Sequence, residues 1–422
     1  MLQVPFIRQN KELVLERLAF KNFKELEVVE EVLALDDKRK KLTLEYDETQ
    51  AQVNSLSKEI GKLMAQGKKE EGEAQRAAVA ALKDRLGPVT EELNATEKAL
   101  QETLVKLPNL PASIVPAGKT PEENVEVRKG GKIPELYAGA VPHWDLAKQY
   151  DLIDFELGNK ITGSGFPVFK NRGARLQRAL IQYFLDYNTS NGYTEYAPPY
   201  LVNEASAYGT GQLPDKEGQM YHATADNYYL IPTAEVPVTN IYRDEIVKDT
   251  DLPVKMTAYT PCFRREAGSY GKDVRGLNRV HQFDKVEIVQ LVHPDKSYEA
   301  LDEMVAHVEA LLNQLELPYR ILRLCAGDMS FTSAITYDFE VYSAAQQKWL
   351  EVSSVSNFEA YQTHRMKIRF KENNGKPQLV HSLNGSSLAL PRILACLLEN
   401  NQTAEGIQIP TVLQSYFGSH MI

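Results

Sequence analysis

The first hundred residues of this chain almost lack proline. Only Pro5 and Pro88 fall within residues 1–107, and Lys, Glu, Leu, Ala and Gln dominate the rest. These side chains lose little rotamer freedom in a helix, so the region reads as helix. Leu82, Leu86, Val89, Leu93, Thr96, Leu100, Thr103 and Leu107 follow one another in steps of four and three, which is a heptad seam. Upstream the seam is looser: Val32, Tyr46, Val53 and Ile60 hold one position and Arg39 interrupts it. Between the two stretches, QGKKEEGE (66–73) is polar and carries two glycines, a turn signal. The pattern predicts two long helices folded back antiparallel. At 1.5 Å per residue, about 40 residues give an arm of roughly 60 Å that projects into solvent. Gly87-Pro88 falls inside the second helix and predicts a kink or an interruption there.

Residues 108–134 gather Pro108, Pro111, Pro116, Pro121 and Pro134 with several turn signals, and read as an extended linker. From residue 135 to 422 the texture changes. Aromatic and β-branched runs such as YTEYAPPYLV, NYYLIPTAEVPV, VKMTAYTPCFRRE, RVHQFDKVEIVQLV and KWLEVSSVSNF alternate with turns, and these are strands. Short connections predict an antiparallel sheet with flanking helices, so the fold class is α+β. Three parts result: a helical hairpin over 1–107, a linker over 108–134 and a catalytic-sized domain over 135–422.

Composition narrows the setting. The N-terminal MLQVPFIRQN lacks the apolar run of a signal peptide, and no stretch is apolar enough for a membrane span. Cys262, Cys325 and Cys396 lie far apart and suggest no disulfide framework, which predicts a cytoplasmic protein. The eight histidines show no HExxH spacing, so a dedicated zinc site is not expected. A formal net charge of −9 argues against broad non-specific nucleic-acid binding.

Against that acidic background, FRREAGSYGKDVRGLNRVHQFDK (263–285) collects Arg264, Arg265, Lys272, Arg275, Arg279 and Lys285 around Gly268, Gly271 and Gly276. It joins two strands through a loop long enough to suggest function. Strand alternation predicts Arg264 and Glu266 on the face shared with Ala258, Thr260 and Cys262. An arginine among small residues calls for an anion, either phosphate or carboxylate. A solvated loop whose arginines pair with surface acids is the plainer alternative. No Walker-type or GxGxxG phosphate loop is present. Elsewhere IPTAEVPV (231–238) sets Glu235 among apolar residues, where an ion-pair partner is the ordinary role. EVSSVSNF (351–358) places Glu351 and two hydroxyls at a strand end, able with Glu287 to serve an amine and a magnesium ion. HSLNGSSLALPR (381–392) runs from a strand into a helix, with Pro391 in its first turn and Arg392 against the helix dipole.

Together these segments closely resemble seryl-tRNA synthetase of the bacterial and cytosolic type, a class II aminoacyl-tRNA synthetase. The resemblance covers nearly the whole chain. GARLQRALIQYFLDYNTSNGYTEYAPPYLV (173–202), FRREAGSYGKDVRGLNRVHQFDKVEIV (263–289) and LNGSSLALPR (383–392) look like the three class II motifs in order. Thr233-Ala234-Glu235 looks like the family's serine-binding signature, and the hairpin like its tRNA-binding arm. Pro391 departs from the glycine common at that place. The resemblance implies an ATP-dependent serine–tRNA ligase that makes seryl-adenylate and passes serine to the 3′ end of tRNA(Ser), with tRNA(Sec) usually accepted too. It implies a homodimer through the first motif.

The resemblance also implies residue roles. Arg264, Glu287 and Arg392 are the catalytic set, with Arg264 on the α-phosphate and Arg392 on the γ-phosphate. Serine is expected against Thr233, Ala234, Glu235, Glu287, Asn384 and Ser386. ATP is expected against Arg264, Arg265, Glu266, Val280, Phe283, Glu351, Val352, Ser353, Ser354 and Arg392, with Phe283 stacked on the base and Glu266 reading its amino group. Glu351 and Ser354 are the expected Mg2+ ligands. Lys272 and Arg275 are expected at the acceptor stem, and Lys38, Lys41, Lys58, Lys62, Lys68 and Lys69 at the tRNA's long variable arm. Other class II synthetases, a carrier-charging homologue and a non-catalytic tRNA binder are the rivals. The hairpin argues against the first two, and intact Arg264, Glu287, Glu351 and Arg392 argue against the third.

Overall fold

A computed structural model describes residues 1–267, 275–372 and 375–422. The chain forms two compact units, one of Met1–Ala19 with Phe23–Pro108 and the other of Phe20–Asn22 with Asn109–Ile422.

In the first unit, two short helices precede α1 (Val28–Ala65) and α2 (Lys69–Leu104), which lie against each other. The turn between them uses Gly67 at φ +75, a conformation glycine adopts without steric cost. The seam is apolar, with Val28, Val29, Val32, Leu42 and Val53 buried on α1 and Val79, Val89, Leu100 and Leu104 on α2. Where Arg39 breaks the pattern, an ion cluster joins α1 to the short helix Val4–Gln9. Buried Asp36 meets Arg8 at 2.8 Å, Arg39 at 2.9 Å and Lys40 at 2.7 Å. Burial alone would raise its pKa, but these three cations hold it down to about 2. Exposed rungs tie the helices at Lys38–Glu92 (2.9 Å) and Arg85–Glu45 (2.6 Å). The interruption expected at Gly87-Pro88 does not occur: α2 runs unbroken through Pro88. Proline forfeits one backbone bond, to the carbonyl four residues back. Neighbouring Val89 is buried, so packing against α1 supports the helix at that point.

The second unit is built on an eight-stranded sheet. In chain order its strands are β1 (Val125–Gly130), β2 (Thr194–Glu195), β3 (Val254–Phe263), β4 (Gln282–Val292), β5 (Tyr319–Arg323), β6 (Ile335–Ser343), β7 (Lys348–Asn357) and β8 (His381–Ala389). Their spatial order is β1-β5-β6-β7-β8-β4-β3-β2, antiparallel throughout except for the β2–β3 pair. Helices α3 (Asn171–Ser190), α4 (Ser297–Gln314) and α5 (Leu390–Asn400) share one apolar cluster with the sheet, including Val286, Ile288, Phe339, Val352 and Val355. Residues alternating with these, such as Glu287, point to the opposite face, where the site lies. The segment expected as a plain linker supplies the edge strand β1. Its prolines fall outside Val125–Gly130; Val125-Glu126-Val127-Arg128 alternates, but the run is short, lies in a proline-rich segment and is almost wholly exposed. Among the described residues no helix is long and apolar enough to cross a membrane.

Candidate active site

A cavity of about 580 Å³ opens on the polar face of the sheet. Its charged groups come from the end of β3, the strands β4 and β7, the start of α5, the short helix Glu235–Thr239 and the loops that carry Glu217 and Arg279.

Strand β3 stops at Phe263, so Arg264 and Glu266 stand just past it rather than on a strand face. The Arg264 backbone N–H donates to the His281 carbonyl at 2.9 Å, and that of Arg265 to the Gln219 carbonyl at 2.9 Å. Glu266 takes φ +49. These turns aim the Arg264 side chain inward, where its Nε donates to the Pro232 carbonyl at 3.3 Å. Its guanidinium lies 5.2 Å from the centre of the Phe283 ring, within cation–π range. Glu266 accepts from Arg279 at 3.1 Å. An arginine beside an aromatic plate, with a carboxylate near the mouth, suits a nucleotide's phosphate and base.

Deeper in, two carboxylates converge. Glu287 on β4 is buried and ion-pairs with buried Lys285 at 2.7 Å. The hydroxyls of Thr233 and Ser386 donate to the same carboxylate at 3.4 and 3.5 Å. Glu235 opens a short helix, Glu235–Thr239, and is buried. Gln362 donates to it at 2.6 Å. Burial, then the nearby Glu287 charge, push the Glu235 carboxyl up to about 7. Asn384 also lines the cavity, and its buried Nδ2 has no hydrogen-bond partner. A pocket with two acids, three hydroxyl or amide groups and one cation fits a small zwitterion.

On the far wall, Glu351 lies four residues into β7, within the strand and not at its end. A register shift against β6 sets Glu340 opposite Glu351 and Asp338 opposite Ser354. The bulge brings Glu351 and Ser354, three residues apart, to the same cavity wall. Burial, then the Glu351 charge, push the Asp338 carboxyl well above the usual range, and its Oδ1 lacks a partner. Arg392, in the first turn of α5, donates to the Glu351 carbonyl at 2.7 Å and stands 3.7 Å from its carboxylate.

The cavity therefore brings together Thr233, Glu235, Arg264, Glu266, Val280, Phe283, Glu287, Glu351, Val352, Ser353, Ser354, Asn384, Ser386 and Arg392. Ala234 and Arg265 do not line it. Ala234 is buried in the apolar cluster beside Met256 and Val289, because its neighbours take the cavity side of the turn. Lys272 lies outside the described residues. Arg275 is exposed and stacks over Trp144 at 4.6 Å. Lys38, Lys41, Lys58, Lys62, Lys68 and Lys69 are exposed on the hairpin, with Lys38 and Lys68 paired to Glu92 and Glu71. Sequence reasoning missed Lys285 and Gln362 as partners of the two buried acids. The two-residue spacing from Lys285 to Glu287 on a strand was the available signal, whereas Gln362 carried none.

Residues 220–401 match the tRNA synthetase class II core domain (G, H, P, S and T), and residues 1–111 match the seryl-tRNA synthetase N-terminal domain. A serine–tRNA ligase of Salinibacter ruber is 49% identical over 420 residues, which cover 99% of this chain and 98% of the relative. The chain belongs to the seryl-tRNA synthetase family. It is accordingly a class II aminoacyl-tRNA ligase. The serine–tRNA ligase of Neisseria meningitidis serogroup C is likewise 49% identical, over 426 residues covering 99% of this synthetase and 98% of that one. The solved structure of seryl-tRNA synthetase from Pyrococcus horikoshii complexed with ATP superposes with a TM-score of 0.91 at 33% identity, covering 100% of this synthetase and 99% of that chain. The N-terminal match also sets this synthetase apart from class II enzymes without the hairpin.

Proposed function

We propose that this cavity forms seryl-adenylate from L-serine and ATP, then transfers serine to the 3′ end of tRNA(Ser). The observation that carries the reading is the meeting of two buried acids, Glu235 and Glu287, with two arginines, Arg264 and Arg392, in one cavity. The acids receive the serine ammonium and hydroxyl. The arginines receive phosphates. The serine carboxylate attacks the α-phosphorus in line, a new C–O–P link forms, and the bond to pyrophosphate breaks. A ribose hydroxyl of the tRNA terminus then attacks the acyl carbon and AMP leaves. Neither step needs a protein nucleophile, only positioning and compensation of growing negative charge at Arg264 and Arg392. Alanine leaves the hydroxyl partners unpaired, which supports rejection by roughly 10⁴-fold.

The same reading gives Mg2+ to Glu351 and Ser354. The unpartnered Oδ1 of buried Asp338, opposite Ser354 in the sheet and raised by the Glu351 charge, fits a divalent cation close by. When bound it neutralises phosphate charge, while Arg392 holds the Glu351 main chain in place. We extend the reading to the exposed hairpin lysines as contacts for tRNA phosphates, to a homodimer, to a cytoplasmic setting and to tRNA(Sec) as a second acceptor. The last three rest on the family alone.

Pyrophosphate–ATP exchange across all twenty amino acids, without tRNA, tests the activation step. Exchange with serine alone is the expected result, and charging assays then offer tRNA(Ser) and tRNA(Sec) to the sedimented dimer. Exchange with a different amino acid, or with none, overturns the serine reading.

Glu235 gives this reading a pH signature. The ammonium needs an ionised carboxylate, and Glu235 is half protonated at about 7. Serine KM in the exchange reaction is therefore expected to rise about tenfold from pH 8 to pH 6, following a single protonation. ATP KM should stay level, and Glu235→Gln should bind serine weakly at every pH. A flat serine profile in the unmutated enzyme removes Glu235 from the ammonium site.

A further inference from the structure

His143 is wholly buried, opens the short helix His143–Gln149 and lies outside the cavity. Its Nδ1 is 2.6 Å from Glu399 Oε1, and its backbone N–H donates to the same oxygen at 2.9 Å. Glu399 is also wholly buried. Its other oxygen accepts from Ser343, and Gln346 donates to Oε1 at 2.8 Å. The opposite ring nitrogen, Nε2, accepts the backbone N–H of Leu277 at 2.8 Å. A nitrogen that accepts carries no proton, so the ring proton sits on Nδ1 and is donated to Glu399. This carboxylate fixes the tautomer that the Leu277 bond requires.

Leu277, Asn278 and Val280 form the cavity wall where the basic glycine-rich segment returns to β4. The Asn278 carbonyl accepts Arg392 Nε at 3.1 Å, and the Asn278 amide donates to Gln346 at 2.9 Å. Arg392 and Glu399 belong to the same helix, α5, two turns apart. The contacts therefore close a ring: Glu399 to His143, to the Leu277–Asn278 backbone, to Arg392 and back along α5. Gly276 completes it. Its φ is +67, and a Cβ there would lie 2.1 Å from His143 Nε2, so the loop can approach the ring only as glycine.

We propose that His143, oriented by Glu399, is a positioning residue for ATP: it fixes residues 277–280 and, through the Asn278 carbonyl, the direction in which Arg392 meets the polyphosphate. The inference rests on the adenylation reading and names a residue that does not itself touch substrate. The serine pocket, built from Thr233, Glu235, Glu287 and Ser386, lies outside the ring.

The test is steady-state exchange with ATP and serine varied separately in the full-length enzyme. In His143→Ala, ATP KM is expected to rise about tenfold or more, on the scale at which small misplacements cost binding and rate, while serine KM stays within about twofold. His143→Gln, whose amide oxygen can accept the Leu277 N–H, should recover most of the ATP KM. Gly276→Ala perturbs the same contact from the loop side, at a half-buried position where the new Cβ would press on His143 Nε2, leaves the His143–Glu399 pair itself unsubstituted, and should reproduce the ATP defect if the alanine variant does not fold. Equal loss against both substrates, a fall in kcat with neither KM changed, no recovery in His143→Gln, or a normal ATP KM in Gly276→Ala each overturns the proposal. Failure of the unmutated enzyme to exchange with serine would instead strike the adenylation reading beneath it.

Discussion

Arg264→Ala is expected to abolish serine-dependent pyrophosphate exchange, with a loss of at least about 10²–10³-fold in kcat, the scale of removing one charge-stabilising donor from a closed site. Among the described residues, no other cation lining the cavity is free to replace it. Lys285 is engaged with Glu287 at 2.7 Å. Arg392 is engaged with the Asn278 and Glu351 carbonyls at 3.1 and 2.7 Å. Arg279 pairs with Glu266 at 3.1 Å. The fold should survive, since Arg264 lies past the end of β3 and outside the buried apolar clusters. The phosphate role predicts that Arg264→Lys recovers little. A lysine keeps one charge but loses the planar fork and its stacking over Phe283. Near-normal exchange in the alanine variant, with an unchanged melting curve, would refute the assignment.

Local pattern made some of this molecule legible and hid other parts for definite reasons. The steps from Leu82 announced α2 because its seam residues, apolar except for Thr96 and Thr103, are spaced for one helix face. The break at Arg39 looked like weak helix, yet α1 runs through it and Arg39 joins Arg8 and Lys40 around buried Asp36, an ion cluster that periodicity does not register. Pro88 signalled a break because its lost bond is local. The support from α1 is tertiary, and single-chain patterning does not weigh it. Strand β1 was passed over because its short Val-Glu-Val-Arg alternation sits in a proline-rich stretch. In the site, Arg264, Glu287 and Arg392 stood out through residue type and motif order. Gln362 and His143 did not, because an amide or imidazole becomes meaningful only once folding sets it beside a buried acid. The sheet order is the plainest case. Strand β8 comes last in the chain but sits between β7 and β4, and that insertion sets Ser386 opposite Glu287 and Asn384 opposite Ser356.

Removing the outer part of the hairpin should separate the two half-reactions. Deletion of residues 46–84, with a short Gly-Ser link joining Glu45 to Arg85, cuts where those side chains already meet at 2.6 Å. The stub keeps Val28, Val29, Val32 and Leu42 against Val89, Leu100 and Leu104, the larger share of the buried seam. It loses only a stretch in which, on the α1 side, no apolar side chain beyond Val53 is buried. The deleted segment carries Lys58, Lys62, Lys68 and Lys69, all exposed. Serine-dependent exchange should stay within about twofold, because the cavity proposed for activation is lined by the second unit's residues and the exchange reaction needs no tRNA. Charging of tRNA(Ser) should fall at least about a hundredfold in kcat/KM, the scale of losing a few phosphate contacts at moderate salt. A salt titration sharpens the result. Each lost contact flattens the dependence of log KM for tRNA on log salt by about one unit, so the truncated enzyme should be less salt-sensitive as well as weaker. Intact charging would assign the arm another task. Weak charging with an unchanged salt slope would show that the arm shapes the tRNA's approach without holding its phosphates.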